Sequence, residues 1–136
     1  MSTARVFVSL VLMLSLSACS GGTGTSSACP QPTIAVSPDP ALSGAALEVT
    51  GTDWITGCDD NSVSERETPV ETIRIELLTQ SGTTLLGVAS ASSNPETLGQ
   101  FTASYTLPRD VAGSGKVRAL GDGFAAEATV TIRSAD

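Results

Sequence analysis

Hydrophobic and polar residues alternate with a period of two over most of the chain after residue 32. Such alternation over four to eight residues predicts a half-buried β-strand, because successive side chains of a strand point to opposite faces of its sheet. Segment 72–77 shows the clearest alternation. There the pattern predicts an inward face of Ile73, Ile75 and Leu77 and an outward face of Thr72, Arg74 and Glu76.

Six further short segments follow the same pattern, at 33–36, 46–50, 86–88, 101–105, 117–119 and 126–132. Gly, Pro, Asn and Asp separate them, and these residues favour turns. Gly121-Asp122-Gly123 predicts a tight hairpin. Because no helical stripe is visible, we predict an all-β sandwich of about seven antiparallel strands. A barrel is the alternative, since strand spacing does not distinguish closed sheets from open ones.

If successive strands run in opposite directions, loops 51–71, 90–100 and 121–123 gather at one end of the sandwich. The first strand begins at the same end. Loop 51–71 is long for a connection without structure of its own, and long loops are often functional. We therefore take this end as the candidate contact surface.

Trp54 in this loop has two interpretations. It is either an exposed anchor for a sugar or protein partner, or a plug at the end of a core with few large side chains. Asp53, Asp59 and Asp60 supply oxygen ligands of the kind that calcium prefers. Their spacing does not match an EF-hand loop, and a solvated turn is the more common role of such residues.

The N-terminal segment has a different pattern. One positive charge, Arg5, precedes an apolar run of 11 residues from Val6 to Leu16, which is typical of a secretory signal. A membrane-spanning helix needs about 20 apolar residues. Leu16-Ser17-Ala18-Cys19 resembles the lipobox of bacterial lipoproteins. The resemblance implies cleavage before Cys19, a lipid on its sulfur, and export with anchoring to the bacterial cell membrane or outer membrane.

The expected organisation is therefore a signal peptide at 1–18, a lipidated N-terminus and flexible linker at 19–32, and one domain at 33–136. Gly, Ser and Thr dominate the linker. The domain resembles the immunoglobulin-like modules of bacterial surface and exported proteins. The resemblance lies in Ser37-Pro38, Gly44 through Trp54, Gly99-Gln100-Phe101, Leu107-Pro108, and Gly115 before Val117-Arg118-Ala119. It implies a fold but no activity.

Charge limits the partners. Residues 19–136 keep all 14 acidic residues but lose Arg5, one of the 7 basic ones, so their net charge is more negative than the −7 of the whole chain. Phosphate backbones would be repelled, and we expect no nucleic-acid partner. Membrane contact then depends on the N-terminal lipid, because docking on anionic lipid needs clustered Lys or Arg.

The chain also has few residues suited to catalysis or transition-metal binding, because it has no histidine and both methionines lie in the signal segment. Histidine is the usual general base near neutral pH and the commonest transition-metal ligand. Asp59-Asp60 is not spaced as a glycosidase acid pair, and Ser114 and Lys116 lie in a Gly-rich turn. We expect no enzyme activity, no cofactor and no metal site.

Cys29 and Cys58 remain as an even pair in an oxidising compartment, and we predict a disulfide between them. The alternating strand directions would make them neighbours. Together these features predict a lipid-anchored, noncatalytic immunoglobulin-like domain of the bacterial cell envelope that binds or spaces another envelope protein or a glycan. The alternative is a calcium-binding or small-ligand-binding lipoprotein that uses the acidic loop 51–71.

Overall fold

The computed structural model describes residues 30–57 and 67–136. Ten strands form in this part of the chain, and three of them are only two residues long. In chain order they are β1 (Thr33–Ser37), β2 (Ala41–Leu42), β3 (Ala46–Thr52), β4 (Ile55–Thr56), β5 (Thr68–Pro69), β6 (Ile73–Thr79), β7 (Gly82–Ala89), β8 (Phe101–Thr106), β9 (Gly113–Gly121) and β10 (Phe124–Arg133). Each of the seven segments with period-two alternation lies in one of the seven longer strands, except that Thr72 lies one residue before β6.

Two sheets pack face to face. One has three strands in the order β1-β3-β8, and the other has five in the order β2-β10-β9-β6-β7. All pairs are antiparallel except β2 with β10, which are parallel. This arrangement is an immunoglobulin-like β-sandwich, which confirms the predicted fold class.

The core lies between the sheets and consists of the inward face of each strand. Its fully buried members include Leu47 and Val49 from β3, Ile75 and Leu77 from β6, and Val117 from β9. Each buried aliphatic side chain of this size stabilises the fold by about 1.5–3 kcal/mol relative to an exposed one. In these strands the hydrophobic residues of the alternating pattern form the buried face, as the sequence predicts.

The seven longer strands alternate in direction, as expected from the sequence. Thr33 at the start of β1 pairs with Thr52 at the end of β3, and Gly51 pairs with Phe101 at the start of β8. We call this end of the sandwich, with segments 53–57 and 67–72 and loops 90–100 and 121–123, the proximal end. The distal end holds segment 38–45, turn 80–81, loop 107–112 and residues 134–136.

Two features of the outer faces differ from the expectation. Glu76 points outward but is only 6% exposed, because two arginine side chains cover it. In β7, Leu86 is half-buried whereas Val88 is 62% exposed. A register shift beside Ile75 leaves Leu86 without a direct partner on β6, so the alternation is interrupted there.

Candidate contact surfaces

Backbone hydrogen bonds join the described loop segments at the proximal end. The Trp54 N–H donates to the Gly99 carbonyl at 3.0 Å, and the Val70 N–H donates to the Trp54 carbonyl at 3.0 Å. The Ala91 N–H in turn donates to the Val70 carbonyl at 2.9 Å. The predicted gathering of these segments is therefore present, and the short antiparallel strand pair β4–β5 lies within what the sequence suggested was an irregular loop.

Trp54 is fully buried. Its indole Nε1 donates to the Thr33 carbonyl at 3.1 Å, and its ring packs edge-on against Phe101 with centroids 6.0 Å apart. The interpretation of Trp54 as an exposed anchor is wrong, because no part of the side chain reaches the surface. Trp54 instead fixes the start of β1 to the loop after β3.

Asp53 is exposed and has a positive φ of 62°. Glu67, Glu71, Glu96 and Asp122 are further exposed carboxylates at the same end. Within residues 30–57 and 67–136, no three Asp, Glu, His or Cys side chains lie close enough together to hold a metal ion. Asp53 is thus an exposed turn residue, and the hypothesis that it binds calcium together with Asp59 and Asp60 stays a prediction, because those two residues lie outside the described part of the chain.

Five of the residues singled out in the sequence lie outside the described part of the chain, namely Cys19, Cys29, Cys58, Asp59 and Asp60. The lipidation of Cys19 and the disulfide between Cys29 and Cys58 stay predictions. The described flanks of the cysteine pair share the proximal end, since Pro30 precedes the start of β1 and Gly57 follows β4.

A second surface, which the sequence did not suggest, covers the outer side of the five-stranded sheet. We call it the charged face and define it by three rows of side chains that cross β7, β6, β9 and β10. The first row holds Val88, Arg74, Leu120 and Ala125; the second holds Leu85, Glu76, Arg118 and Glu127; the third holds Thr83, Leu78, Lys116 and Thr129.

Glu76 is the centre of an ion-pair network on this face. Its Oε1 accepts from Arg74 Nη2 at 2.6 Å and Nε at 3.0 Å, and its Oε2 accepts from Arg118 Nη2 at 2.7 Å and Nε at 3.2 Å. The hydrogen bonds from Arg118 and then Arg74 lower the pKa of the Glu76 carboxyl from its ordinary value. Lys116 pairs with Glu127 at 3.4 Å.

Exposed apolar side chains adjoin the network. Leu85 and Val88 on β7 are 60% and 62% exposed, and they lie opposite Glu76 and Arg74 in the register. Their position could have been suspected from the apolar run Leu85 to Val88 in the sequence. That this apolar run lies near Arg118 and Lys116 of β9 depends on the order of the strands in the sheet. The alternation of hydrophobic and polar residues does not reveal that order.

The fold defines the class of this protein as an immunoglobulin-like β-sandwich, and comparisons add no family. No family model matches the sequence, and no curated protein matches it. Among the described residues, no helix is long and apolar enough to cross a membrane.

Solved structures give remote matches. A superoxide reductase (neelaredoxin) from Ignicoccus hospitalis has 12% identity and a TM-score of 0.43, covering 77% of this chain and 80% of its own. A CARDB domain from Pyrococcus furiosus, in complex with di-metal ions, has 15% identity and a TM-score of 0.43, covering 76% of this chain and 86% of its own. An engineered protein has 19% identity and a TM-score of 0.39, covering 80% of this chain and 21% of its own.

Proposed function

We propose that the protein is a lipid-anchored, noncatalytic immunoglobulin-like domain of the bacterial cell envelope that binds or spaces another envelope component. One observation supports this proposal most directly. β1, the first strand, begins at the proximal end. A chain lipidated at Cys19 therefore joins the domain at the proximal end, which faces the membrane.

The dimensions fit such a role. Linker residues 19–32 give an average reach of about 20 Å if they behave as a flexible Gly/Ser-rich chain. β10 has ten residues, so the sandwich is about 33 Å long at the usual rise of a strand. The distal end then stands about 50 Å from the membrane surface. The sheet faces and the distal end are thus open to partners.

Membrane fractionation of the full chain and of a Cys19→Ala variant tests the anchor. We expect the native chain in the membrane fraction and in the detergent phase after phase separation. The variant is expected to lose the lipid and to leave the detergent phase, since it has no acceptor sulfur. A native chain that stays in the aqueous phase would overturn the proposal.

A further inference from the structure

The distal end contains a small cavity lined by polar and small residues. Its volume is about 300 Å³, which is at the lower end of the range for small-ligand sites. The lining residues are Ser43, Gly44, Arg109 and Ala135. They belong to segment 38–45, loop 107–112 and residues 134–136, which are distant in sequence and meet only in the folded chain.

Backbone hydrogen bonds join the three segments that form this cavity. The Gly44 N–H donates to the Pro108 carbonyl at 3.3 Å, which fixes loop 107–112 to segment 38–45. The Ser43 N–H donates to the Arg133 carbonyl at 2.9 Å, which fixes the same segment to the end of β10. The walls of the cavity are therefore in place before a ligand binds, and this lowers the entropy cost of binding.

Arg109 supplies the positive charge of the cavity. Its side chain lies along Gly44, where a Cβ atom would be 3.0 Å from the Arg109 Cγ and 3.6 Å from its Nε. Arg74 and Arg118 bind a carboxylate of their own chain, whereas Arg109 makes no ion pair or side-chain hydrogen bond within the described part of the chain. The guanidinium donors of Arg109 are thus available to a ligand.

Ser43 supplies a second donor to the cavity. It is only 6% exposed, and its Oγ accepts from the Ala135 N–H at 3.0 Å. The hydroxyl proton has no acceptor among the described residues. Because a hydroxyl group can accept and donate at the same time, the Ser43 O–H can donate to a group in the cavity.

These two donors indicate the chemical class of the ligand. No carboxylate lines the cavity, although Asp110 and Asp136 adjoin lining residues in the sequence. The planar guanidinium group binds a carboxylate or a phosphate through two parallel hydrogen bonds, and a hydroxyl donor adds a third. We propose that Arg109 and Ser43 together bind a carboxylate or phosphate group in this cavity.

The source of the anionic group follows from the proposed function, on which this step rests. In that arrangement the distal end stands about 50 Å from the membrane surface. The headgroups of the anchoring membrane do not reach the cavity at that distance. The anionic group therefore belongs to another envelope component, and the cavity is the place where the domain binds it.

Titration of the isotope-labelled full-length protein in detergent tests the proposal. Sodium acetate is added to one sample and sodium phosphate to another, with sodium chloride at the same ionic strength as the reference. We expect saturable shifts of the Gly44 amide signal and the Arg109 Nε–H signal with at least one of the two anions. A response to acetate alone identifies a carboxylate ligand, and a response to phosphate alone identifies a phosphate ligand.

Arg133 provides the matched control for Arg109. It is also an exposed arginine near the distal end without an ion pair in the described part of the chain, but it does not line the cavity. We expect Arg109→Gln to weaken anion binding about tenfold, because the charge-assisted hydrogen bonds are lost. Arg133→Gln removes the same charge and should change the dissociation constant by less than about twofold. Ser43→Ala should also weaken binding.

The net charge of the chain is −7, so general attraction of anions does not explain saturable binding. Absence of saturable shifts with both anions, equal weakening by Arg109→Gln and Arg133→Gln, or unchanged binding by Ser43→Ala would overturn the proposal. The titration needs no membrane. Its result is therefore separate from the membrane fractionation of Cys19→Ala, which tests the anchor alone.

Discussion

At the scale of single residues, Trp54 joins three parts of the chain. Its indole packs on Phe101 from β8, and its N–H donates to Thr33 in β1. Composition could suggest that a lone tryptophan plugs a core with few large side chains. The partner carbonyl could not be predicted, because it depends on how β1 pairs with β3.

Replacing Trp54 should separate packing from hydrogen bonding. We expect Trp54→Ala to lower the free energy of unfolding by about 3–5 kcal/mol, since it removes a large buried side chain. Trp54→Phe keeps a ring but loses the hydrogen bond to Thr33, and should cost about 1–3 kcal/mol. Denaturant unfolding measures both values. Equal stability of the Ala variant and the native protein would contradict the burial of Trp54.

Glu76 gives the second residue-scale prediction. Its folded pKa is lower than its ordinary value of 4.5, so it contributes stability above pH 4.5 and loses that contribution as pH falls through the folded pKa. We expect Glu76→Gln to lower the thermal midpoint at pH 7. The difference from the native protein should shrink below pH 4.5.

Glu127→Gln is the matched control for Glu76→Gln, because Glu127 is on the same face but is more exposed and makes one salt bridge of 3.4 Å. At pH 7, Glu127→Gln should lower the thermal midpoint less than Glu76→Gln does. Thermal melts at pH 3 and pH 7 compare the three proteins. A Glu76→Gln effect of the same size at both pH values would contradict the role of the ionised carboxylate.

At the scale of elements, sequence alternation was sufficient to find all seven longer strands and the inward faces of all but β7, where the register shift interrupts the pattern. It missed β2, β4 and β5, because two residues are too few to show a period. It also could not assign strands to sheets. The prolines at 38 and 40 interrupt the first run, but nothing in their spacing shows that the chain passes from one sheet to the other.

The edges of the two sheets meet where β7 lies beside β8. The Tyr105 hydroxyl donates to the Val88 carbonyl at 2.9 Å, and the Tyr105 ring covers Gly87. A Cβ atom at position 87 would lie 2.6 Å from the ring. This contact joins the five-stranded sheet to the three-stranded sheet.

Gly87→Ala should therefore destabilise the protein by about 1–3 kcal/mol through overpacking. In a Tyr105→Ala background, the same substitution should cost less, because the ring is gone. A double-mutant cycle in denaturant measures the coupling. The same cost in both backgrounds would contradict the contact between position 87 and the ring.

At the scale of the whole molecule, strand direction connects the fold with its proposed attachment. The sequence predicted that loops 51–71, 90–100 and 121–123 share one end, and the described segments of these loops do. It placed the contact surface at this end, whereas the exposed apolar side chains lie on the charged face. Arg118 is distant in sequence from Arg74, Leu85 and Val88, and the order β9-β6-β7 brings them together.

The central claim is a lipid-anchored domain, and the intact mass of the protein from its native membrane tests it most directly. Samples are measured with and without reductant and alkylation. We predict a chain that begins at Cys19, carries the mass of lipid, and is lighter by two hydrogens than the reduced form because Cys29 and Cys58 are joined. A chain without lipid, or one that retains residues 1–18, would contradict the account.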